Sequence, residues 1–286
     1  MILKGVKRLK HFIETTYFPK YYKSKFFRTI EQLNWENIKN ENIENELLLL
    51  NFIYPKNGYF VDIGANLGQY VYKASRLTKE SMIVAFEPNP FLAKRLKKLF
   101  PEAIIQKLAL SHKPGVTQFK IPLFKDKLMH TRGTLKIEHN EIDETGYKLI
   151  EVKIDTLDQL IPHFKERVSF VKIDVEGAEF DVISGAENFI NKFKPNIMIE
   201  IEQRHHATPI LDFISNFNTR HQYTCYYFDT VDQKLKEVTN LFNVDSLQSM
   251  ENHGKNRRYI NNFIFTPNQG EYHLDIDSIN RQIHKA

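Results

Sequence analysis

The chain has 286 residues, of which 42% are hydrophobic and 26% are charged, a composition that supports one large globular domain with a substantial core. No window approaches the roughly 18 consecutive apolar residues of a membrane-spanning helix, and one cysteine, Cys225, excludes an internal disulfide. These features indicate a reducing, cytoplasmic setting. Because Cys225 is surrounded by aromatic residues, we expect it to be a buried filler and not a nucleophile.

The positive charge is concentrated at the start of the chain. Residues 1–30 hold eight Lys or Arg and one acid, a net charge of +7, whereas the whole chain carries +5. Aromatic residues alternate with these basic ones. Two interpretations stay open: a helical extension over residues 1–55 that packs on the body, or a peripheral contact with an anionic inner membrane face or a phosphate-bearing acceptor. Nucleic-acid binding is not expected, because the rest of the chain supplies no basic groove.

From residue 59 onward, short β-branched or aromatic runs alternate with helical patterns. Five runs predict strands: GYFVDIG, SMIVAFEPN, EAIIQKLAL, VSFVKIDVEG and KPNIMIEIE. Three runs predict helices: GQYVYKASRLT, PFLAKRLKKLF and AEFDVISGAENFINKF. This alternation indicates parallel strands joined by crossover helices, and therefore a doubly wound, Rossmann-like α/β sheet.

Two regions break the alternation. Residues 111–155 contain VTQFKIP and YKLIEVKI, which predict a β excursion around a polar segment. Near the end, YTCYYFD, QKLKEV and YINNFIFTP follow one another without intervening helices, which predicts antiparallel edge strands. We therefore expect a main domain over residues 56–270, an insert at 111–155 and a C-terminal tail over 271–286.

A glycine turn follows the first predicted strand, where residues 62–68 read DIGANLG. A dinucleotide turn would read G-x-G-x-x-G, but Asn66 replaces the middle glycine and Asp62 precedes the first one. A carboxylate at that point repels a pyrophosphate and attracts the ammonium group of S-adenosylmethionine, each by roughly 1–4 kcal/mol at about 4 Å. Glu87, at the end of the next strand, is suited to bind ribose hydroxyls. The turn favours S-adenosylmethionine, with a nicotinamide-dependent reductase as the alternative.

Further acids are predicted at the carboxyl edge of the sheet. Asp174 ends the run FVKID, and acids crowded at such an edge raise one another's pKa, which suits a catalytic base. Glu200 belongs to the next strand, and His205 or His206 in its exit loop is a second base candidate. A hard-metal site formed with these groups is a further option, although no spacing signature supports it.

Two other charged residues of the same motif have more ordinary interpretations. Glu179 is expected to begin a helix, where its charge favours the N-terminus. Lys172 alternates with Val171 and Ile173, and we expect it either to face a ligand or, as the first choice, to lie on the exposed side of the sheet.

Five motifs, taken in order, resemble the FkbM-type S-adenosylmethionine-dependent methyltransferases. They are FVDIGANLGQY, AFEPNP, TLDQL, FVKIDVEGAEFDVISGA and NFIFTP, and they cover about residues 58–267. The resemblance implies the class I methyltransferase fold, a seven-stranded sheet with an antiparallel last strand. It also implies O-methylation of a hydroxyl, most often on a sugar of a glycan or glycolipid precursor, or alternatively on a small natural product.

The resemblance also implies the residues of the site. The loop at the methionine end of the cofactor would comprise Asp62, Gly64, Ala65, Asn66 and Gly68, with Tyr70 at the following helix start. The ribose would be held by Glu87 beside Pro88 and Asn89. Gln106-Lys107-Leu108 replaces the usual Asn or Asp before ALS, so backbone groups of Leu108 and Ala109 are expected at the adenine.

The remaining candidates lie later in the chain. Asp174, Glu176 and Gly177 would complete the cofactor site, while Asp174, His205 and Glu200 are the catalytic candidates. Polar groups of the insert, namely His130, Arg132 and Lys136, are expected either to recognise the acceptor or to belong to a surface excursion. The acceptor and the oligomeric state are left open.

Overall fold

The structure is a computed structural model that describes residues 18–38, 43–140, 143–239, 242–249 and 259–286. Its strands are β1 (Tyr59–Ile63), β2 (Ile83–Phe86), β3 (Ile104–Gln106), β4 (Ala109–Leu110), β5 (Gly115–Phe124), β6 (Lys127–Leu128), β7 (Gly146–Asp155), β8 (Val168–Ile173), β9 (Asn196–Glu200), β10 (Tyr223–Asp229), β11 (Lys234–Glu237) and β12 (Asn262–Pro267). Its α-helices are α1 (Pro19–Phe26), α2 (Arg28–Glu31), α3 (Glu46–Ile53), α4 (Gln69–Ser75), α5 (Pro90–Leu99), α6 (Leu157–Leu160), α7 (Glu179–Ser184), α8 (Glu187–Phe193), α9 (Ile210–His221), α10 (Val244–Leu247) and α11 (Ile276–Ile283).

The main sheet has eight strands in the order β11-β10-β12-β9-β8-β1-β2-β3. Strands β3, β2, β1, β8 and β9 are parallel, and β12 runs antiparallel to both of its neighbours, β9 and β10. The predicted doubly wound class I methyltransferase fold with an antiparallel last strand is therefore confirmed.

The end of the chain differs from the prediction in one respect. The last strand, β12, pairs with β9 on one side and β10 on the other, so it lies inside the sheet and not at its edge. Its side chains are buried along the whole strand. The edge is formed by β10 and β11, and β11 is an eighth strand beyond the expected seven. Cys225 on β10 is fully buried, as expected.

The insert forms a second sheet with the order β4-β7-β5-β6, in which β5 and β7 make a long antiparallel ladder. This confirms the predicted β excursion. The run EAIIQKLAL, predicted as one strand, is divided between the two sheets, since β3 pairs with β2 and β4 pairs with β7. The insert therefore leaves the main sheet directly beside the third parallel strand.

Helix α5 shows how the sequence pattern places its helix on the sheet. Pro90 begins the helix, and the side chain of Asn89 caps it by accepting a hydrogen bond from the N–H of Phe91. Its apolar residues recur at helical spacing and are buried, namely Leu92, Ala93, Leu96 and Leu99. The opposite side carries basic residues.

The run AEFDVISGAENFINKF, predicted as one helix, forms two helices, α7 and α8. Gly185 lies at the break. A Cβ atom there would approach the carbonyl oxygen of Ser111 to 2.1 Å, so the close contact between this turn and the start of the insert requires glycine.

The described part of the N-terminal extension is helical and packs on the main core. Leu47, Leu49 and Leu50 of α3 are fully buried, and the ring of Phe27 stacks on that of Tyr72 at 4.4 Å. The first 17 residues, with four of the eight basic residues of the arm, lie outside the described residues. Among the helices that are described, not one has the length and apolar character needed to cross a membrane.

Candidate active site

The turn after β1 brings the ends of three strands together. Gly64 has φ +85°, and a Cβ atom on it would lie 1.7 Å from the carbonyl oxygen of Asp174, so glycine is required for β1 to approach the exit of β8 this closely. The N–H groups of Gly64 and Ala65 both donate to the carbonyl oxygen of Phe86, at 2.9 and 3.0 Å. Backbone contacts with β2 and β8 therefore fix the shape of the turn.

Asn66 and Gly68 complete the turn in left-handed conformations, with φ +51° and +82°. A Cβ atom at Gly68 would lie 2.6 Å from Cδ2 of Leu96, so this glycine lets α4 pack against α5. The N–H of Asn66 donates to Oε2 of Glu87 at 2.8 Å. Much of the hydrogen-bonding capacity of the turn is thus used within the protein. Gly68 contributes to the turn through its packing against α5.

Two cavities adjoin the turn at the carboxyl edge of the sheet, and they share Gly64, Asn66, Thr131 and Asp174. We call the first the apolar cavity; its wall includes Phe86, Glu87, Pro88, Leu92, Leu108, Ala109, Leu110, His130 and Glu176. We call the second the acidic cavity; it has a volume of about 180 Å³, and its wall includes Glu44, Asp62, Ala65, Tyr70 and Lys172. Of the residues expected at the adenine and ribose, Leu108, Ala109, Glu87 and Pro88 lie on the first cavity and Asn89 does not. Of those expected at the methionine end, all but Gly68 lie on the second.

Glu87 lines the apolar cavity together with two other acids, Asp174 and Glu176. Its Oε1 accepts a hydrogen bond from the N–H of Asn89, and its Oε2 accepts one from the N–H of Asn66, both at 2.8 Å. Burial raises the pKa of Glu87 to about 7, although the two backbone hydrogen bonds lower it. Each carboxylate oxygen has a second lone pair, so Glu87 retains the capacity to accept from two hydroxyls of a ligand.

The insert covers the apolar cavity. Nδ2 of Asn89 lies 3.0 Å from Nδ1 of His130, and the His130 ring stacks on Phe91 with centroids 4.8 Å apart. Nδ2 of Asn66 donates to the carbonyl oxygen of Thr131 at 2.9 Å, and Oγ1 of Thr134 donates to that of Glu176 at 2.7 Å. The insert is therefore part of the site and not a separate surface excursion.

The three insert residues predicted to meet the acceptor have different surroundings. His130 lies in the wall of the apolar cavity. Lys136 is paired with Asp181 at 2.8 Å, and the guanidinium of Arg132 lies over the Phe124 ring. The structure thus brings only His130 of the three to a cavity wall.

Lys172 lies in the wall of the acidic cavity. Of the two placements predicted for it, the exposed side of the sheet is wrong. It pairs in register with Asp62, and its side chain is fully buried because apolar layers cover both faces of the parallel sheet. Its Nζ lies 3.1 Å from Oδ1 of Asn262, 3.9 Å from Oε2 of Glu200 and 4.0 Å from Oδ2 of Asp174.

The protonation of Lys172 follows from these neighbours. Burial alone lowers the pKa of its ammonium group, but the surrounding carboxylates outweigh burial and the net pKa is raised. The four that act on it are Asp174, Glu200, Glu44 and Asp62. Lys172 is therefore a buried cation shared by acids from three strands and the segment before α3.

Asp62 has one unsatisfied oxygen in this cavity. Its side chain is buried, and its Oδ2 has no hydrogen-bond partner among the described residues. Burial raises the pKa of Asp62 to about 7; Lys172 opposes this rise, and Asp174, Glu87 and Glu44 add to it. The cavity thus holds more carboxyl groups than cations, together with an acceptor that lacks a donor.

Asp174 and Glu200 form a pair beside Lys172. Burial raises the pKa of Asp174 to about 6, with Lys172 opposing this rise and a hydrogen bond from Glu200 also lowering it. Burial and the nearby Asp174 raise the pKa of Glu200 well above its ordinary value. Burial therefore raises the pKa of both members of the pair, and Lys172 opposes the rise in each. The Asp174 side chain remains 25% exposed and lines both cavities.

The two histidines lie behind the loop that follows β8. Nε2 of His206 is 3.1 Å from Oε2 of Glu179, and its ring stacks on Phe180. The His205 ring packs edge-on against His139, and burial, with Arg204 beside it, lowers its pKa to about 4. Among the described residues that line the two cavities, neither histidine occurs.

Glu179 and Gly177 belong to the same structural region. Glu179 begins α7, as expected, and its Oε1 accepts hydrogen bonds from the N–H groups of Gly177 and Val175 at 3.0 and 3.3 Å. A Cβ atom at Gly177 would lie 3.3 Å from Cβ of His205. Gly177 thus shapes the loop, while Asp174 and Glu176 of the same motif reach a cavity wall.

The sequence reasoning missed three residues of the site: Glu44, Thr131 and Lys172 as a buried cation. For Lys172 a signal existed, because a lysine flanked by Val171 and Ile173 in a run of apolar residues predicts burial on both faces. Glu44 accepts a short hydrogen bond from the hydroxyl of Tyr70, at 2.5 Å, through a contact that no local pattern indicates. Within the described ranges, no group of three or more His, Cys, Asp or Glu is arranged to hold a metal ion.

Comparison with known proteins shows the family to which the chain is similar. The sequence model of the methyltransferase FkbM domain matches residues 62–242. The chain is 28% identical over 169 residues to Methyltransferase 1 of Beauveria bassiana, covering 52% of this chain and 66% of that protein. It is 26% identical over 204 residues to the AMB antimetabolite synthetase AmbE of Pseudomonas aeruginosa, covering 59% of this chain and 10% of that protein.

A solved structure is also similar, the crystal structure of methyltransferase FkbM from Methylobacillus flagellatus. The two chains are 14% identical with a TM-score of 0.43, and the match covers 73% of this chain and 44% of the other.

Proposed function

The chain belongs to the FkbM methyltransferase family, and on that basis we propose that it transfers a methyl group from S-adenosylmethionine to a hydroxyl oxygen. The observation that carries the proposal is the acidic cavity with the unpartnered Oδ2 of Asp62. Excess carboxylate in a buried cavity favours a cation, and the donor has two positive groups, an ammonium and a sulfonium. The residues present therefore fit this cofactor.

The donor would lie across both cavities. Asp62 would accept from the ammonium group, and Glu87 would accept from the ribose hydroxyls with its remaining lone pairs. Leu108 and Ala109 would flank the adenine, with the insert residue His130 closing over it. When bound, S-adenosylmethionine supplies an electrophilic methyl group on sulfur.

Asp174 is the group best placed to accept the proton of the attacking hydroxyl. It lines both cavities, and burial raises its pKa to about 6, close to the pH at which a general base works best. Glu200 and Lys172 hold it from the other side. Asp174 would accept the hydroxyl proton while the hydroxyl oxygen takes the methyl group that the donor would supply.

The acceptor class follows from family resemblance. A sugar hydroxyl of a glycan or glycolipid precursor is the first choice, and a cytoplasmic location suits such a precursor. A small natural product is the second choice, supported by the partial similarity to AmbE, a protein described as an antimetabolite synthetase.

The first experiment is calorimetric titration of the purified chain with S-adenosylhomocysteine and, separately, with NADH. We expect saturable binding of S-adenosylhomocysteine only. Binding of NADH alone would contradict the proposal and indicate a nicotinamide-dependent reductase. Labelled S-adenosylmethionine is then supplied with sugar alcohols, glycan extracts and hydroxylated small molecules.

The second experiment tests the base. Asp174→Asn should keep the affinity for S-adenosylhomocysteine within about threefold and lower turnover by roughly 10²–10⁴-fold. Asp212→Asn, which changes an exposed acid on α9, is the matched control and should leave both quantities unchanged. Full turnover by Asp174→Asn would exclude Asp174 as the base.

A further inference from the structure

The exposed side of α1 and α5 carries one sign of charge. Five lysines on these two helices are exposed: Lys20, Lys25, Lys94, Lys97 and Lys98. Neither helix contains an acidic residue. We call this surface the basic face. By contrast, residues 31–286 together carry a slightly negative net charge.

The two helices form one continuous surface because they pack against each other. The Nζ of Lys23 lies 4.1 Å from the centroid of the Phe100 ring, and the guanidinium of Arg95 lies 4.2 Å from that of Phe26. Lys23 is also paired with Glu80 at 2.6 Å. These cations serve the packing between the helices, while the five lysines of the basic face remain on the outside.

Large aromatic side chains are exposed beside these lysines. Phe18 and Tyr21 on the N-terminal side are 59% and 61% exposed, and Phe91 at the start of α5 is 56% exposed. Exposed aromatic rings next to lysines are typical of surfaces that contact lipid headgroups, where the ring lies at the boundary and the ammonium meets phosphate. A basic patch along a helix is also a footprint of nucleic-acid binding, but the exposed aromatic rings beside the lysines favour a lipid boundary.

We infer that the basic face is a peripheral contact for an anionic membrane surface. Charge complementarity selects this occupant, since each lysine near an anionic bilayer adds binding free energy and five are presented together. Four further basic residues precede them in the first 17 residues of the sequence, which lie outside the described ranges.

The contact would lie next to the candidate active site. The ring of Phe91 stacks on His130, which is part of the wall of the apolar cavity. Membrane contact would therefore place the cavity beside the lipid headgroups, where an acceptor carried on a lipid is presented. This last step rests on the proposed function, but the membrane contact itself does not.

The test is sedimentation of the full chain with vesicles of phosphatidylcholine alone or mixed with 40% phosphatidylglycerol. We expect binding to the anionic vesicles only, and release at high salt, because surface charges are screened over a few ångströms at 1 M. Absence of binding to anionic vesicles at low salt would overturn the inference, as would equal binding to both kinds of vesicle.

A charge variant locates the contact. Lys94→Gln/Lys97→Gln removes two exposed lysines of α5 and should weaken vesicle binding by roughly 30-fold. The control Lys113→Gln/Lys165→Gln removes two exposed lysines elsewhere and should bind within twofold of the unchanged chain. Equal binding by both variants would assign the contact to another surface.

Two further readouts separate this inference from the proposed function and from other partners. Affinity for S-adenosylhomocysteine, measured without vesicles, should be the same in both variants, so failure of donor binding and failure of membrane binding are distinguishable. A duplex or single-stranded DNA oligomer at physiological salt should not be retained. Retention of DNA without vesicle binding would overturn the membrane assignment.

Discussion

The motif KIDVEGAE contributes acids to two regions that differ sharply in hydrogen bonding. Around Lys172, several carboxyl groups share one ammonium group, and Oδ2 of Asp62 has no partner among the described residues. Around Glu179, both carboxylate oxygens have partners, namely the N–H groups of Val175 and Gly177 and the ring of His206. The first region is left short of positive charge, whereas both oxygens of Glu179 in the second are satisfied.

This difference teaches which acids serve a ligand and which serve the fold. Buried polar groups are normally satisfied, so an unsatisfied group in a cavity wall indicates that a ligand supplies the missing partner. The region around Glu179 needs no ligand, because it holds the loop after β8 against α7 and His206. The two regions should therefore respond in opposite ways to loss of charge.

The largest effect is expected from Lys172→Met. Removing one partner of a buried ionic cluster leaves uncompensated charge and typically costs about 3–5 kcal/mol of unfolding free energy. The loss should be greatest at pH 8 and smaller at pH 5, because the pKa values of Asp62 and Asp174 are raised to about 7 and about 6 and these neighbours of Lys172 take up protons on acidification.

Urea unfolding at both pH values measures this effect. The control is Lys113→Met, at an exposed lysine, which should change stability by less than about 0.5 kcal/mol. If the loss for Lys172→Met were the same at pH 5 and pH 8, its cause would be packing and not charge.

Asp62→Asn should act in the opposite direction on stability. The pKa of Asp62 is about 7 in the folded chain and ordinarily near 3.8, so between these values the folded state binds the proton more strongly and stability falls as pH rises. Removing this group should stabilise the fold by about 1–4 kcal/mol at pH 8 and by almost nothing at pH 4. Thermal unfolding across this range follows the change.

The same variant should lose ligand affinity. An opposite charge near 4 Å contributes roughly 1–4 kcal/mol, so S-adenosylhomocysteine should bind at least about fivefold more weakly to Asp62→Asn. Asp212→Asn is the matched control for both measurements. A variant that became less stable at pH 8, or bound the ligand unchanged, would contradict the role given to Asp62.

Much of the fold could be predicted because its signals are local. Apolar runs separated by amphipathic helices predicted the parallel strands, and the change of pattern in residues 111–155 predicted the insert. The interior position of β12 could not be read in this way, because it depends on which strands become its neighbours. The apolar run around Lys172 indicates its burial, but the register that sets Lys172 beside Asp62 depends on strand pairing.

The site was predictable to a similar extent. Strand-end residues such as Asp62, Glu87 and Asp174 meet at one edge in any parallel sheet, and the structure places all three in cavity walls. The contributions of Glu44 and His130 depend on segments that fold back over this edge from distant parts of the chain. No spacing in the sequence records such contacts.

Glu179→Gln tests the second of the two regions, in which the acid is expected to serve the fold. The amide preserves size but replaces a charged acceptor that serves two N–H groups and His206, which should cost about 1–3 kcal/mol of stability. Affinity for S-adenosylhomocysteine should change by less than about threefold, since Glu179 does not line either cavity within the described residues. Denaturation and calorimetry should therefore show lower stability with unchanged ligand affinity, the reverse of Asp62→Asn. A variant of unchanged stability that lost ligand affinity would refute the structural role.

The smallest effect is expected from His205→Gln, which addresses the histidine-base hypothesis. Its imidazole packs against His139 behind Gly177 and does not line either cavity within the described residues. Burial lowers its pKa to about 4, so it is neutral at working pH. Turnover should stay within about threefold, with a pH profile set by Asp174, near pH 6. His284→Gln, at an exposed position, is the control. A fall of turnover by roughly 10²-fold or more with unchanged donor affinity would instead make His205 the base and limit Asp174 to positioning.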